Sequence, residues 1–511
     1  MIYVAKISYR DAGGTAQTAW FTNGQGWRTR STDTPASTLI EGRLINPGTV
    51  QRSMFKDAAA FGAIEAGYGA AVLLNSDGGL DSWRSYYLAG NEYEVFALTA
   101  AGEPSSSWTS VLKLRMRFVQ LGLDTMTIAL RDRLQELETP LAKNFFAGTG
   151  GLEGQSYVAN VRKPWGVGDC FMCEPIFIDA PGGTHLVYVV SENAFDSATI
   201  GRQDRYGGTN LSRDANYASE AALFSTPPTG ASYAKRWPAG GALAIGAARS
   251  GSITSDISFG GTTDKLVHRC LEACALRAGI SSGDISSADL TALDASPTIN
   301  AGYYVRDAET ALSVMTNLAN GGGLWFGFDR AGVLRFGKVD TYSGSAAYAF
   351  TEHNTVEGGI VRDVSGGLTA PIWSLTLRWR KRWRPLDNLK DTALITGQDL
   401  MMPWDEVTVT DSTTKTNNPH AQSVVRDSYC MNLDLVAAPS TEASRQLTLF
   451  KALRAVYRVT ARISAALLSV DLGNTVSLTH SRFGLTSATN FKVIGSEFDF
   501  GADRVTYMLW G

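Results

Sequence analysis

Residues 472–511 read LGNTVSLTHSRFGLTSATNFKVIGSEFDFGADRVTYMLWG, and three extended runs lie within them. Thr475–His480 sets Val476 and Leu478 on one side. Phe491–Phe500 is long and aromatic, interrupted by Gly495. Arg504–Trp510 puts Val505, Tyr507 and Leu509 on one face and Arg504, Thr506, Met508 and Trp510 on the other. Period-two alternation of β-branched and aromatic residues specifies strands. The loop Phe500-Gly501-Ala502-Asp503 is short and turn-forming, so the last two runs are expected to pair as a hairpin. Large apolar groups on both faces of the final strand require it to be clasped in a barrel or a subunit interface, because a bare edge of this kind invites aggregation. Tyr507 and Trp510 are therefore candidate interface residues.

Composition sets the outer limits. A chain of 511 residues is expected to form several domains with substantial cores. Its 52 glycines against 16 prolines, with 10% aromatic residues, suit many strands and tight turns. A hydrophobic content of 44% excludes a largely disordered chain. The net charge of −3 gives no global attraction to nucleic acid or an anionic membrane. No apolar run suffices to span a bilayer, and the opening MIYVAKISYRDAGG reads as a strand, not a secretory signal. Five cysteines are too few for a disulfide framework, which fits a reducing cytoplasm.

Residues 1–140 are expected to form a first β-barrel domain. Ile2, Val4 and Ile7 mark a strand, Gly13-Gly14 a turn and Thr18–Phe21 the next strand. Val72-Leu73-Leu74 runs into Asn75-Ser76-Asp77-Gly78-Gly79; this turn lacks the distal glutamate of a calcium loop and is read as a plain turn. In Val111–Phe118, Leu112, Leu114, Met116 and Phe118 alternate with Lys113, Arg115 and Arg117, predicting a strand with a cationic solvated face. A strand through Ile128 and Leu130 and a helical turn around Leu134 and Leu137 end at Pro140.

Residues 141–260 are expected to be β-rich. Gly148–Gly154 lacks the Gly-Lys-Ser/Thr ending of a phosphate loop. Cys170 and Cys173 have CxxC spacing and Cys270 and Cys274 form a second pair, so a four-thiolate zinc or iron–sulfur site is weighed. In an extended run, however, Cys170 and Cys173 face opposite sides. Cys270 and Cys274 lie on the apolar side of a helix beside Leu266, Val267, Leu271 and Ala278. All four are read as buried thiols, with no metal assigned.

Residues 261–340 predict an α+β domain. Thr263 or Asp264 caps a helix that runs to Ala278 and is ended by Gly279. His268 lies within it and is read as structural. A second helix spans 308–320 with Ala311, Leu312, Met315 and Leu318 on one face. Leu324–Phe328, the turn Asp329-Arg330-Ala331-Gly332 and Val333–Val339 form a hairpin.

Residues 341–511 predict a second β-barrel domain with one helix, Ser440–Val459, whose apolar set is Leu447, Leu449, Phe450, Leu453 and Val456. The sharpest charge feature is Trp373–Arg384, WSLTLRWRKRWR. As a strand it places Trp373, Leu375, Leu377, Trp379 and Trp383 on one face and Arg378, Arg380, Arg382 and Arg384 on the other. Interleaved cations and aromatics suit single-stranded nucleic acid or the acidic surface of a neighbouring subunit. The slightly negative chain and the one-strand width of the patch leave the subunit reading at least as strong.

Nothing positive points to catalysis. The five histidines, 185, 268, 353, 420 and 480, fall in no HExxH-like motif. There is no GxSxG elbow, and no cysteine sits in a protease signature. Paired acids among 49 carboxylates leave no spacing signature to weigh. No cofactor is expected.

A series of short pieces, in order, resembles the baseplate hub (tail-tip) proteins of long-tailed, non-contractile phages and of gene transfer agents. The pieces are Tyr68-Gly69 with Leu74–Asp81; Leu130–Arg133 through Pro140-Leu141 and Phe146–Gly150; and Lys163-Pro164 with Pro175 and Tyr188. They continue with Asp204-Arg205 and Asn216–Ser219, then Tyr233 through Trp237–Gly241 to Thr254–Ile257, and end with His480–Leu485, Phe491–Gly495 and Leu509–Gly511. The cysteine pairs depart from that pattern. The resemblance implies a strand-dominated α+β, multidomain chain with two β-barrel-like hub domains and a mixed α+β middle module. It implies a homotrimer whose paired barrels present a pseudo-sixfold ring that closes the tail tube of a virion. The implied partners are the distal tail protein, the tape-measure protein and tail-tip or fibre proteins, with nucleic acid only in transit during genome ejection. Trp373, Arg378, Trp379, Arg380, Arg382, Trp383, Arg384, Tyr507 and Trp510 are the expected interface residues. Two other classes stand beside this one: a carbohydrate- or receptor-binding tail-tip module, and a tail-associated cell-wall hydrolase.

Overall fold

The computed structural model describes the chain apart from residues 56–60, 197–202, 207–208, 247–251, 296–298, 343, 364–370, 387–397, 432–436 and 453. Strands dominate it. Residues from the first quarter of the chain build a seven-stranded sheet in the order Ala16–Thr22, Ile2–Arg10, Glu92–Leu98, Thr109–Leu121, Thr125–Arg131, Ala70–Leu74, Leu44–Asn46. The C-terminal strands form the backbone of an eight-stranded sheet. Its order runs Ala349–Phe350, Thr475–Leu478, Thr489–Asp499, Arg504–Trp510, Val456–Arg462, Ile360–Asp363.

The expected terminal hairpin forms: Asp499 faces Arg504 and Val493 faces Leu509. The other edge of Arg504–Trp510 is covered by Val456–Arg462, with Val456 opposite Trp510. The last strand is thus clasped on both sides within its own chain.

The two sheets are joined by an exchanged strand. Thr489–Asp499 is longer than its neighbour Thr475–Leu478, which pairs only with residues 489–492. The remaining edge, 495–499, is taken by Thr49–Ser53, with Ser53 opposite Gly495 and Thr49 opposite Asp499. Glu65–Tyr68 then pairs with Thr49–Ser53. The chain leaves the first sheet at Pro47-Gly48 and returns to it after Gly69. A Cβ at Gly69 would lie 2.2 Å from Thr49 Oγ1, so the two crossings pack without room for a side chain. One apolar cluster runs through both sheets, from Tyr3, Leu73 and Ile128 through Val50 to Phe498, Tyr507 and Trp510. Tyr3 and Phe500 meet edge to face at 5.4 Å, a favourable aromatic geometry.

Between these sheets in sequence lie two five-stranded sheets and an α+β module. The module contains helices Val267–Ala278 and Ala311–Gly322 and the hairpin Leu324–Phe328/Leu334–Lys338. Gly62-Ala63 runs parallel to Trp325-Phe326, a second tie to the N-terminal segment. Gly279 ends the first helix in the left-handed conformation, as expected.

Several expectations are corrected. The first helix starts at Val267 without a side-chain cap, because the Asp264 carboxylate instead accepts from the Gly261 N–H at 2.7 Å. Helix Ser287–Asp294, capped by Ser286, adds to the two expected helices of the module. The expected helix 440–459 is helical over Ala437–Phe450 and a strand from Val456; Leu453 lies outside the described residues. Val456, Val459 and Thr460 are β-branched, and the final strand supplies the edge they need. Cys170 and Cys173 do not face opposite sides. Cys170 pairs with Ile257 and Cys173 with Ser255, so a bulge at Met172 (φ 55°) restores both thiols to one core.

Arg52 in the exchanged strand is buried and ion-paired to Asp471. Removing one member strands the other's charge in a low-dielectric site. Arg52→Ala is expected to lower unfolding free energy by about 3–5 kcal/mol. Urea unfolding of the single and double variants with Asp471→Asn should reveal a coupling above about 1 kcal/mol. Additive single effects would show that the pair does not hold the junction.

Candidate assembly surface

The cationic stretch is organised differently from its sequence alternation. The strand is Ile372–Trp379, central in a three-stranded sheet between Asp405–Thr410 and Gln422–Asp427. Leu375, Leu377 and Trp379 are buried. The strand expected to reach Arg384 stops because Arg380 adopts φ 50°, which breaks the alternation and turns Arg382 inward.

Each arginine of the stretch then meets a carboxylate of its own chain. Arg378 Nε donates to Glu406 at 2.9 Å and lies 3.6 Å from Asp427. Arg380 and Arg382 share Asp405, at 3.3 and 2.7 Å. Arg384 lies 3.6 Å from Glu174, which also pairs with Arg306. Arg205, Arg380 and Arg382 surround the Phe171 ring at 5.0, 5.8 and 5.7 Å. The Phe171–Arg382 bridge and the Arg384–Glu174 pair thus tie the three-stranded sheet to strand Trp165–Cys173. With its four arginines paired in place, the segment acts mainly as an internal clamp.

The other named residues divide by burial. Trp379, Arg382, Tyr507 and Trp510 lie inside the subunit, which removes them from any surface. The Tyr507 hydroxyl donates to the Leu467 carbonyl at 2.6 Å, and Trp510 packs against Phe55 and Phe450. Trp383 is half-buried against Tyr303 and Tyr429. Trp373, under Lys415 at 4.0 Å, with Arg378 and Arg384, retains exposed surface.

An exposed apolar surface lies elsewhere. Thr109–Leu121 and Thr125–Arg131 form a long hairpin in which Met116 faces Leu130 but Phe118 faces Ala129. The bulge at Arg117 reverses the alternation, so Phe118, expected in the core, is 53% exposed. At the tip Leu123 is 93% exposed, with Leu74 exposed on the adjoining strand. Glu92–Leu98 covers Thr109–Arg115 only. Among the described residues no strand pairs with the far edge of residues 117–121. An unpaired backbone edge flanked by large apolar groups is a docking site for another strand.

Sequence reasoning also missed a buried charge cluster where the exchanged strand meets the α+β hairpin. Around Arg52 and Asp471 lie Asp329, Arg330, Tyr68 and Asp132. Arg330 donates to the Leu468 carbonyl at 2.6 Å and stacks on Phe498 at 4.0 Å. Burial raises the carboxyl of Asp471, but Arg52 and Arg330 outweigh it and hold the group below its ordinary range. Burial pushes Asp132 up to about 6, although it accepts from the Leu134 N–H and bonds Tyr68. These residues are scattered between positions 52 and 471, and no local pattern connects them.

No family model matches the chain, and a search of curated proteins finds no match. Among solved structures, the chain is similar to a tail protein from Neisseria meningitidis, with 11% identity and TM-score 0.40 over 100% of this chain and 96% of that one. It is similar to prophage tail protein gp18 from Listeria monocytogenes, with 7% identity and TM-score 0.39 over 100% and 94%. A chain in the virion of a native gene transfer agent particle gives 12% identity and TM-score 0.42 over 74% and 91%.

Asp132 sets a pH dependence. Its folded carboxyl binds a proton more tightly than the unfolded one, so its stabilising contribution is full below about pH 4 and is lost as pH rises through about 6. Asp132→Asn keeps an acceptor for Leu134 and removes the titration. The variant should gain about 2 kcal/mol relative to wild type between pH 4 and pH 8 in urea unfolding. A constant difference across that range would contradict the assignment.

Proposed function

We infer that the chain is a structural, non-enzymatic virion protein, the trimeric baseplate hub at the tail tip of a long non-contractile-tailed phage. In this reading 1–140 and 341–511 are the two hub domains, and 141–260 and 261–340 are attached modules. The single observation that carries it is the fused pair of sheets, each with a strand edge that no described strand covers. Residues 117–121 provide one edge, and Ile360–Asp363, the last described strand of the C-terminal sheet, provides the other. Phe118, Leu123 and Leu74 line the first, and Val361, 53% exposed, sits on the second. Mating one edge to the other edge of the next copy is a heterologous contact, and such contacts close into rings when the rotation allows. The ordered sequence pieces from Tyr68 to Gly511 support the same reading.

The ring would close the tail tube. It would dock the distal tail protein on one side and the tape-measure protein and tail-tip or fibre proteins on the other, and would open for genome ejection. Assembly would take place in the host cytoplasm. Arg378, Arg384 and Trp373 remain available to tune docking at the periphery, where exposed charges govern specificity more than affinity.

Light scattering should return a trimer for the wild type. The double variant Phe118→Glu/Leu123→Glu should return a monomer with an unchanged far-ultraviolet circular dichroism spectrum. Zymography on peptidoglycan should show no clearing. A monomeric wild type, or clearing abolished by substituting one acidic pair, would overturn the reading.

A further inference from the structure

A polar cleft of about 460 Å3 opens where the edge strand Gln422–Asp427 passes helix Ala311–Gly322, and of its lining the assembly reading uses only Arg378. Its lining includes Arg426 and Asp427 from the strand, Asn317 and Asn320 from the helix, and Arg378.

Arg426 is the unusual member. Its guanidinium lies between the rings of Phe61 and Phe450, at 4.6 and 5.1 Å. One Nη1–H donates to Gln446 Oε1 at 2.8 Å, and no carboxylate of the described residues bonds it. The nearest candidate, Glu442, is committed to Arg445 at 2.7 and 2.8 Å and to Gln446 at 2.8 Å. Burial, with Arg445 close by, pushes the guanidinium down to about 10. A desolvated guanidinium with spare donors favours a carboxylate, which it grips through paired N–H groups.

The opposite side of the cleft asks for different chemistry. Asp427 can only accept, and its contact with Arg378 is loose at 3.6 Å. Asn317 donates one N–H to the Tyr303 hydroxyl at 3.0 Å and keeps its carbonyl oxygen. The Asn320 amide has no hydrogen-bond partner among the described residues. A ligand that fits must carry an anion at one end and hydroxyl donors at the other, close enough to meet two amides and a carboxylate. An acidic peptide side chain supplies the anion but brings no hydroxyl donor for Asp427.

We propose that this cleft binds an acidic sugar, with its carboxylate on Arg426 and its ring hydroxyls on Asn317, Asn320 and Asp427. Uronic and sialic acids share that chemistry. Saturation-transfer NMR on the full chain, with glucuronate and N-acetylneuraminate as separate probes and glucose as the neutral control, tests it. Transfer to one or both acids and none to glucose is expected. Asn320→Ala, which breaks no hydrogen bond among the described residues, should weaken binding about tenfold, and Arg426→Gln should abolish it. Transfer to neither acid overturns the proposal. So does equal binding by wild type and Asn320→Ala, or tri-glutamate displacing the sugar as an equal competitor.

Discussion

The pairing of Thr49–Ser53 with residues 495–499 determines how the rest of the molecule is arranged. Without it, the longest C-terminal strand would carry an open half-edge and Arg52 would have no reason to be buried. With it, residues more than four hundred positions apart share one sheet, and the core of the first sheet continues into the second. Pairing of such high sequence separation is slow to form, because loop-closure entropy is lost before the contacts repay it. The charge cluster around Asp471 sits at the same seam, so buried ion pairing is concentrated where the long-range pairing forms.

Local patterns were legible in the sequence wherever neighbours in the chain are neighbours in space. The terminal hairpin, the Leu324–Lys338 hairpin and the Gly279 stop follow from alternation and turn chemistry within a few residues. Three failures share one cause. Single-residue irregularities at Arg117, Met172 and Arg380 each reverse a period-two pattern, and alternation alone carries no mark of where a bulge falls. The first exposes Phe118, the second brings Cys170 and Cys173 into one core, and the third sends Arg382 inward.

The cationic stretch shows why charge patterning needs a structure beside it. Four arginines in seven residues read as a surface for a partner, yet Glu406, Asp405 and Glu174 of the same chain meet them. Those acids come from 174 and from the 405–406 region, with no sequence signal linking them to Trp373–Arg384. The exposed apolar hairpin tip and the polar cleft at Arg426 were equally silent, because both depend on what the fold leaves uncovered.

Hydrogen exchange read by mass spectrometry tests the seam most directly. If the exchanged strand is integral to the C-terminal sheet, amides in 49–53 and 495–499 should exchange together, as slowly as those of Arg504–Trp510. Rapid exchange in 49–53 beside a protected final strand would mean that the two sheets open independently, and would contradict the account.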